Sequence, residues 1–339
     1  MMRRFRVSAL TMKEWMARLL LVGFLMGVLR HHQISNRLQQ TYQNMTRWLS
    51  LTLERIPTAW FVTGAVVILA LIALWVEKET SISSIRDVVQ VIFKNAESIA
   101  VVAAVILYFK EIPERRAQKH YEAWQVVDAA ANVSVSYARI RALEDLNRDG
   151  VSLEGIAAMN ANLEGIALRG ALLTEANLAG ANLSAADFTD TVSMKIRLGQ
   201  ATLKQAKLNG SDLTAAELEG AILTQAKLMN ANLTGAKFTS AQLAYADLSG
   251  STFTGATLTG VKAVGSNFYY AKLYEANLSQ GNFAEANFTE ADLTGANLTG
   301  ANFKGVKGLT AKAVRMANHW ESAVFDPELA AQLGMASDS

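Results

Sequence analysis

The stretch Ala276–Phe303, ANLSQ GNFAE ANFTE ADLTG ANLTG ANF, decides the fold, because the third residue of every block of five is Leu or Phe. Read outward, the same register holds from Val151 to Gly305 without a break. Block centres run from Leu153 to Phe303 in steps of five, which makes 31 units. Of these centres, 28 are Leu or Phe, and only Ala158, Ser193 and Ala263 depart, so the large apolar residue is a rule of the repeat. Two residues before the centre stands Ala in 21 units, while Ser211, Ser251, Ser266 and Gly281 fill four more. A period of five fits neither the 3.6 of a helix nor the 2 of a flat strand. One large apolar and one small residue per fixed unit mean a solenoid.

The blocks ANLSQ, ADLTG, ANFTE and ANLTG resemble the pentapeptide-repeat family, and the resemblance covers nearly half the chain. It implies a right-handed, quadrilateral β-helix with four units, 20 residues, in each coil. The central Leu or Phe then points inward and the small residue packs near the corner. Coils stacked at about 4.8 Å would make a rod of nearly eight coils, roughly 37 Å long. Each inward Leu or Phe would contribute about 1.5–3 kcal/mol by burial. Residues twenty apart should stack, Phe268 on Phe288 and Phe283 on Phe303. The weakest coil should lie at Thr191–Gln200, where Ser193 takes a centre and Ile196 a small-residue place.

The flanks read as helical. The domain order is 1–55, interfacial or amphipathic helices; 56–109, a transmembrane hairpin; 110–150, a helical linker and N-terminal cap; 151–308, the β-helix; 309–339, a C-terminal helical cap and tail. Leu19 to Leu29 is 11 uncharged residues, short of the ~20 a spanning helix needs. Leu38, Tyr42, Met45, Leu49 and Leu53 then fall on one helix face, suited to a membrane surface, a partner helix or ordinary core packing. Ile56–Val76 is 21 residues without a charge, bracketed by Trp60 and Trp75, and reads as a transmembrane helix. Val88–Phe109 is a second candidate span, interrupted by Lys94 and Glu97. Three apart, these two share a helix face. They form either an intramembrane ion or proton path or a pair in which Lys94 snorkels to the interface. Lys and Arg number nine before the first span and two in the 77–87 loop, and Lys110, Arg115, Arg116 and Lys119 follow the second. Positive-inside logic therefore places both termini and the repeats on the cytoplasmic side of a thylakoid or plasma membrane.

Open solenoid ends need caps. Between Glu114 and Leu146 the stripes Tyr121, Trp124, Val127 and Val133, Tyr137, Ile140, Leu143, Leu146 are placed to supply one. This segment, KHYEAWQVVDAA with ALEDLNRDGVSLEGI, resembles the lead into the repeats of cyanobacterial membrane-anchored pentapeptide proteins. Asp145, Asn147, Asp149 and Gly150 match the start of a calcium loop, but Ile156 stands where a bidentate Glu is required. A turn into the first strand is the other use of these residues. Beyond Leu309 the five-residue rhythm stops; the resemblance makes this the C-terminal cap, with Trp320 as its plug.

Chemistry is sparse. The chain has no Cys, and none of its four His lies in the repeats, so there is no support for catalysis and no cofactor or metal is expected. Asp187, Lys207, Lys227 and Asp247 form a column at steps of twenty. Arg197, Glu217 and Lys237 form another, and Lys272 with Asp292 a third. Such ladders read as stacking register rather than acid–base chemistry. Family members include acidic rods that mimic DNA and bind gyrase. Residues 151–307, however, hold 13 acidic and 11 basic residues, net −2. A DNA-like rod of this length would carry about twenty negative charges, so no nucleic-acid mimicry follows. The reading is a membrane-anchored, non-catalytic scaffold whose partners are membrane lipid and a membrane or cytoplasmic protein complex; the alternative is a component or regulator of a transporter or channel. Tyr269, Tyr270 and Tyr274 follow the inward Phe268 and Leu273 and should project outward as a partner contact, or merely cover neighbouring strands.

Overall fold

The computed structural model describes residues 96–130 and 133–335, together with Thr63, Gly64, Val67, Ile68, Val89, Gln90 and Lys94. The chain divides into two compact units, Met1–Pro113 and Glu114–Ser339. Helix α1 spans Ala96–Ala129, α2 Tyr137–Arg148, α3 Ala311–Arg315 and α4 Pro327–Leu333. Everything between α2 and α3 is solenoid.

Bridge partners lie twenty residues apart along the solenoid: Asn177 with Arg197, Asn182 with Thr202, Asp187 with Lys207 and Val192 with Asp212, all parallel. Four pentapeptides therefore close one coil, as the repeat implies. Units between the first and last coils use their backbone in the same way. The central amide donates to the following coil (Leu178 N to Arg197 O, 2.8 Å), and the amide before it donates to the preceding coil (Asn177 N to Ile156 O, 2.7 Å). The central carbonyl accepts from the next small residue (Ala181 N to Leu178 O, 3.1 Å), closing a β-turn. At the fifth position of every unit, Gly155 through Gly305, φ lies between +54° and +72°. A positive φ at that place alone is the sign pattern of a type II turn. Only 14 of these 31 residues are glycine, so the other 17 each bear a left-handed cost of about 1–2 kcal/mol, less for Asn and Asp. The coil repeats because its bonds outweigh that strain.

Where Asn or Asp precedes a centre, as it does in 14 of the 31 units, its side chain has its own function. Asn297 Oδ1 accepts from both Thr299 N (3.0 Å) and Thr299 Oγ1 (2.6 Å), and Asp292 does the same for Thr294. The motif A-[ND]-L-T is thus a small inward corner, an outward side chain that ties down the turn, an inward filler and a hydroxyl that closes the tie.

Inside, the central residues form a continuous buried core. Phe268 stacks on Phe288 with centroids 4.9 Å apart, and Phe283 on Phe303 at 5.3 Å, the pairs that a twenty-residue coil requires. Around Ser193 the filling is poorer. A void narrower than a water molecule lies among Phe188, Ser193, Ile196, Leu198 and Leu203. The hydroxyls there are satisfied, Ser193 Oγ donating to Thr191 Oγ1 and Thr191 Oγ1 to the Phe188 carbonyl, both at 3.0 Å.

Both ends are sealed. Leu143 and Leu146 of α2 join the core above the first coil. Glu144 accepts from the open amide of Ala167 (3.0 Å) and the Ser134 carbonyl from that of Asn162. Tyr137, expected on the inward stripe, is exposed, and Arg139 is buried instead. Its guanidinium donates to the carbonyls of Ala130 (2.6 Å), Val133 (2.9 Å) and Ser134 (3.2 Å). Burial lowers its pKa, yet a guanidinium stays charged. At the far end Phe303 N donates to Val324 O and Leu298 N to Asn318 O, while Asp326 accepts from Gly305 N. The plug is Phe325, stacked on Phe303 at 5.7 Å. Trp320, the expected plug, is only partly buried, because the backbone pairing at Val324 sets Phe325 over the last coil.

The integral-membrane placement is overturned: among the described residues no helix is long and apolar enough to cross a membrane. In α1 only 12 residues separate Glu97 from Lys110, about 18 Å at 1.5 Å each against a hydrocarbon core of ~30 Å. The helix then continues through Glu111, Glu114, Arg115 and Arg116. With this second span goes the orientation argument that required a hairpin. The first expected span, 56–76, lies outside the described residues apart from Thr63, Gly64, Val67 and Ile68, and the expected helices of 1–55 lie wholly outside them.

Candidate functional site

About half of the outward positions of the solenoid are Thr, Ser, Asn and Gly, and many of the Asn, Ser and Thr tie down their own turns. Tyr269, Tyr270 and Tyr274 break that pattern. They occupy turn positions, which face away from the core because the adjoining centres, Phe268 and Leu273, fill it. Their exposures are 42%, 54% and 43%, so about half of each ring is open to a partner. Tyr269 and Tyr270 meet edge to face with centroids 4.5 Å apart, which fixes the pair as one unit. Tyr274 stands at the next corner of the same coil, beyond the strand that carries Lys272. A hydrogen bond to Glu275, together with that carboxylate's charge, raises the Tyr274 pKa.

Charge gathers around the rings. In the following coil Glu290 occupies the Tyr270 position and Asp292 bridges Lys272. Asp292 is held below the usual carboxylate range, chiefly by the hydroxyl and amide of Thr294, and so remains ionised. A fourth ring, Tyr245, lies across Gly265 in the next coil; a Cβ at Gly265 would meet it at 2.6 Å. Its partner was not visible in the repeat pattern, although Tyr at a fifth position twenty residues before a Gly is the signal.

The other candidates do not assemble into a site. Lys94 and Glu97 are both helical and both exposed. Asp145 pairs with Arg148 (2.7 Å), Asp149 with His120 (2.8 Å), and Asn147 donates to the Arg169 carbonyl (3.1 Å). The His120 bond also holds the Asp149 carboxyl below its ordinary value. These groups serve the α1–α2 junction and do not converge. Among the described residues no three His, Asp or Glu are placed to hold a metal. The columns are partly realised as ion pairs: Lys207 reaches Asp187 at 3.8 Å and Lys237 reaches Glu217 at 3.4 Å. Arg169–Asp190 (3.1 Å) and Lys195–Glu175 (3.2 Å) join corners. Exposed pairs of this kind contribute only about 0.2–1 kcal/mol.

A parallel solenoid of four units per coil with a largely polar exterior defines a quadrilateral β-helix. Residues 159–191, 196–235, 231–268 and 271–307 match the family model for pentapeptide repeats in eight copies. The repeat segment thus carries the repeats of that family, and they imply the right-handed β-helix. Among solved structures the chain is similar to HetL, a pentapeptide repeat protein involved in heterocyst differentiation regulation from the cyanobacterium Nostoc sp. strain PCC 7120. The two share 26% identity over 52% of this chain and 92% of HetL, with a TM-score of 0.23. A pentapeptide repeat protein from the Arabidopsis thaliana thylakoid lumen is 30% identical over 26% of this chain and 61% of its own, at TM-score 0.23. QnrB1, a plasmid-mediated fluoroquinolone resistance protein, is 17% identical over 56% and 91%, at TM-score 0.32. No curated protein sequence matches the chain.

Proposed function

We propose that this protein is a non-catalytic scaffold that holds a partner protein on the outside of its β-helix, at Tyr269, Tyr270 and Tyr274. The observation that carries the reading is the exposure of three neighbouring rings at two successive corners of one coil. Tyr is enriched at binding hot spots because it brings a large contact area with few rotatable bonds. A regular β-helix adds rigidity, so little ordering cost attaches to the rod's side of an interface. The near-neutral charge of the repeats favours a protein partner over mimicry of nucleic acid. Affinity capture from the native cell, with the wild-type chain and the Tyr269→Ser/Tyr270→Ser/Tyr274→Ser variant in parallel, tests this. The expected result is one stoichiometric partner held by the wild type and lost by the variant. Recovery of no stoichiometric partner by the wild type would overturn the scaffold reading.

A further inference from the structure

The patch has a definite electrostatic character. Lys272 occupies a strand position, with the Tyr269–Tyr270 pair at the corner before it and Tyr274 at the corner after it. From Tyr270 to Tyr274 is four residues, at most about 14 Å of extended chain. Glu275 adjoins the second corner, and Glu290 and Asp292 lie in the following coil; all three are exposed. Lys272 and these three carboxylates sum to −2, with Lys307 one coil further on beside Asn287, and Glu275 bonds the Tyr274 hydroxyl. Such a combination suits cations: a guanidinium or ammonium is attracted to a ring face within about 6 Å of its centroid and to carboxylates at the rim. An anionic segment would meet Glu275, Glu290 and Asp292 unpaired. An apolar one would desolvate them.

We propose that this face captures an extended, arginine- or lysine-bearing segment of the partner, with its cations lodged against the tyrosine rings and held by Glu275, Glu290 and Asp292. The inference rests on the scaffold reading and gives that partner its chemistry. Arginine should be preferred, since its planar group stacks on rings and forks onto carboxylates.

The test uses the full-length chain and a fluorescein-labelled (Arg-Gly-Ser)3 peptide followed by fluorescence anisotropy, with (Glu-Gly-Ser)3 as the comparison. The arginine peptide should bind and the glutamate peptide should not. Binding should weaken at least about tenfold in Tyr269→Ser/Tyr270→Ser/Tyr274→Ser and equally in Glu275→Gln/Glu290→Gln/Asp292→Asn. It should hold in Tyr269→Phe/Tyr270→Phe/Tyr274→Phe, which keeps the rings and removes only hydroxyls. Unchanged binding in both the serine and the amide variants would overturn the proposal, as would equal binding of the glutamate peptide. Tyrosine-dependent self-association in sedimentation, without peptide binding, would give the face to a second copy and overturn it too. If affinity capture depends on the tyrosines but the arginine peptide is indifferent to them, the basic-segment inference fails while the scaffold stands.

Discussion

The coils from Phe238 to Phe303 and the coil at Ser193 share one backbone and differ in their filling. In the first region Phe238, Phe253, Phe268 and Phe283 touch in sequence at 5.8 Å, with further stacking on Phe288, Phe303 and Phe325. In the second, two hydroxyls and a void take the place of a Leu. Yet the ladder does not register the difference: Ser193 N reaches Asp212 O at 2.8 Å, and Phe268 N reaches Asn287 O at 2.8 Å. Turn geometry and inter-coil hydrogen bonds set the shape of the rod, while interior volume sets how much each coil resists opening. In a solenoid each coil contacts only its neighbours, so these local differences should survive as local stabilities.

That separation breaks most visibly at the aromatic end. Phe268 touches Phe253, Phe283 and Phe288, so Phe268→Ala should cost about 3–5 kcal/mol. Urea unfolding monitored by circular dichroism checks it. A loss below ~1 kcal/mol would show that the coil collapses freely around the deletion and that filling counts for less than argued. Next comes the N-terminal cap. Arg139→Ala removes a buried cation from three carbonyls and should cost roughly 2–4 kcal/mol. Hydrogen exchange should show the first coil opening before the aromatic coils; uniform opening would mean that the rod unfolds as one block.

The opposite change sharpens the comparison at the weak coil. Thr191→Ala with Ser193→Leu restores the repeat pattern and fills the void, and should stabilise by about 0.5–2 kcal/mol. No gain in the urea midpoint would mean that the void is too narrow for the added methyls and that overpacking cancels burial.

Much of this was legible in the sequence because one residue in five must fill the interior and one must be small. Steps of twenty then place the Phe268–Phe288 and Phe283–Phe303 pairs and the charge columns, and a place just after an inward centre marks the exposed tyrosines. What escaped lies where the repeat stops. Nothing in a stripe pattern says that Arg139 turns inward while Tyr137 turns out; the carbonyls of Ala130, Val133 and Ser134 decide that. Phe325 rather than Trp320 closes the core because the Val324 pairing fixes the register of the cap. The apolar content of 88–109 was read as a span, but its charges leave only a short uncharged stretch inside a helix that runs on to Ala129. Side-chain contacts between coils, such as Tyr245 over Gly265, depend on size at two positions twenty apart and not on either residue alone.

The smallest effect tests the turn itself. Ala215 is a fifth-position residue with φ +56°, and its methyl group forms no hydrogen bond. Gly235, twenty residues on, has open space where a Cβ would sit, so steric relief from a neighbouring coil does not enter. In most folded contexts Ala→Gly destabilises by about 0.5–1 kcal/mol, because glycine has more freedom to lose. Here the left-handed conformation already costs Ala about 1–2 kcal/mol, and glycine adopts it without penalty. The two terms nearly cancel, with the strain slightly larger, so Ala215→Gly should be neutral or stabilising by up to ~1 kcal/mol. The readout is the urea midpoint at unchanged slope, which shows that the surface exposed on unfolding has not changed. A loss of 0.5 kcal/mol or more would mean that the coil has relaxed the strain at its non-glycine corners. Gln225 and Ser240, which share the left-handed backbone, would then be free of it as well.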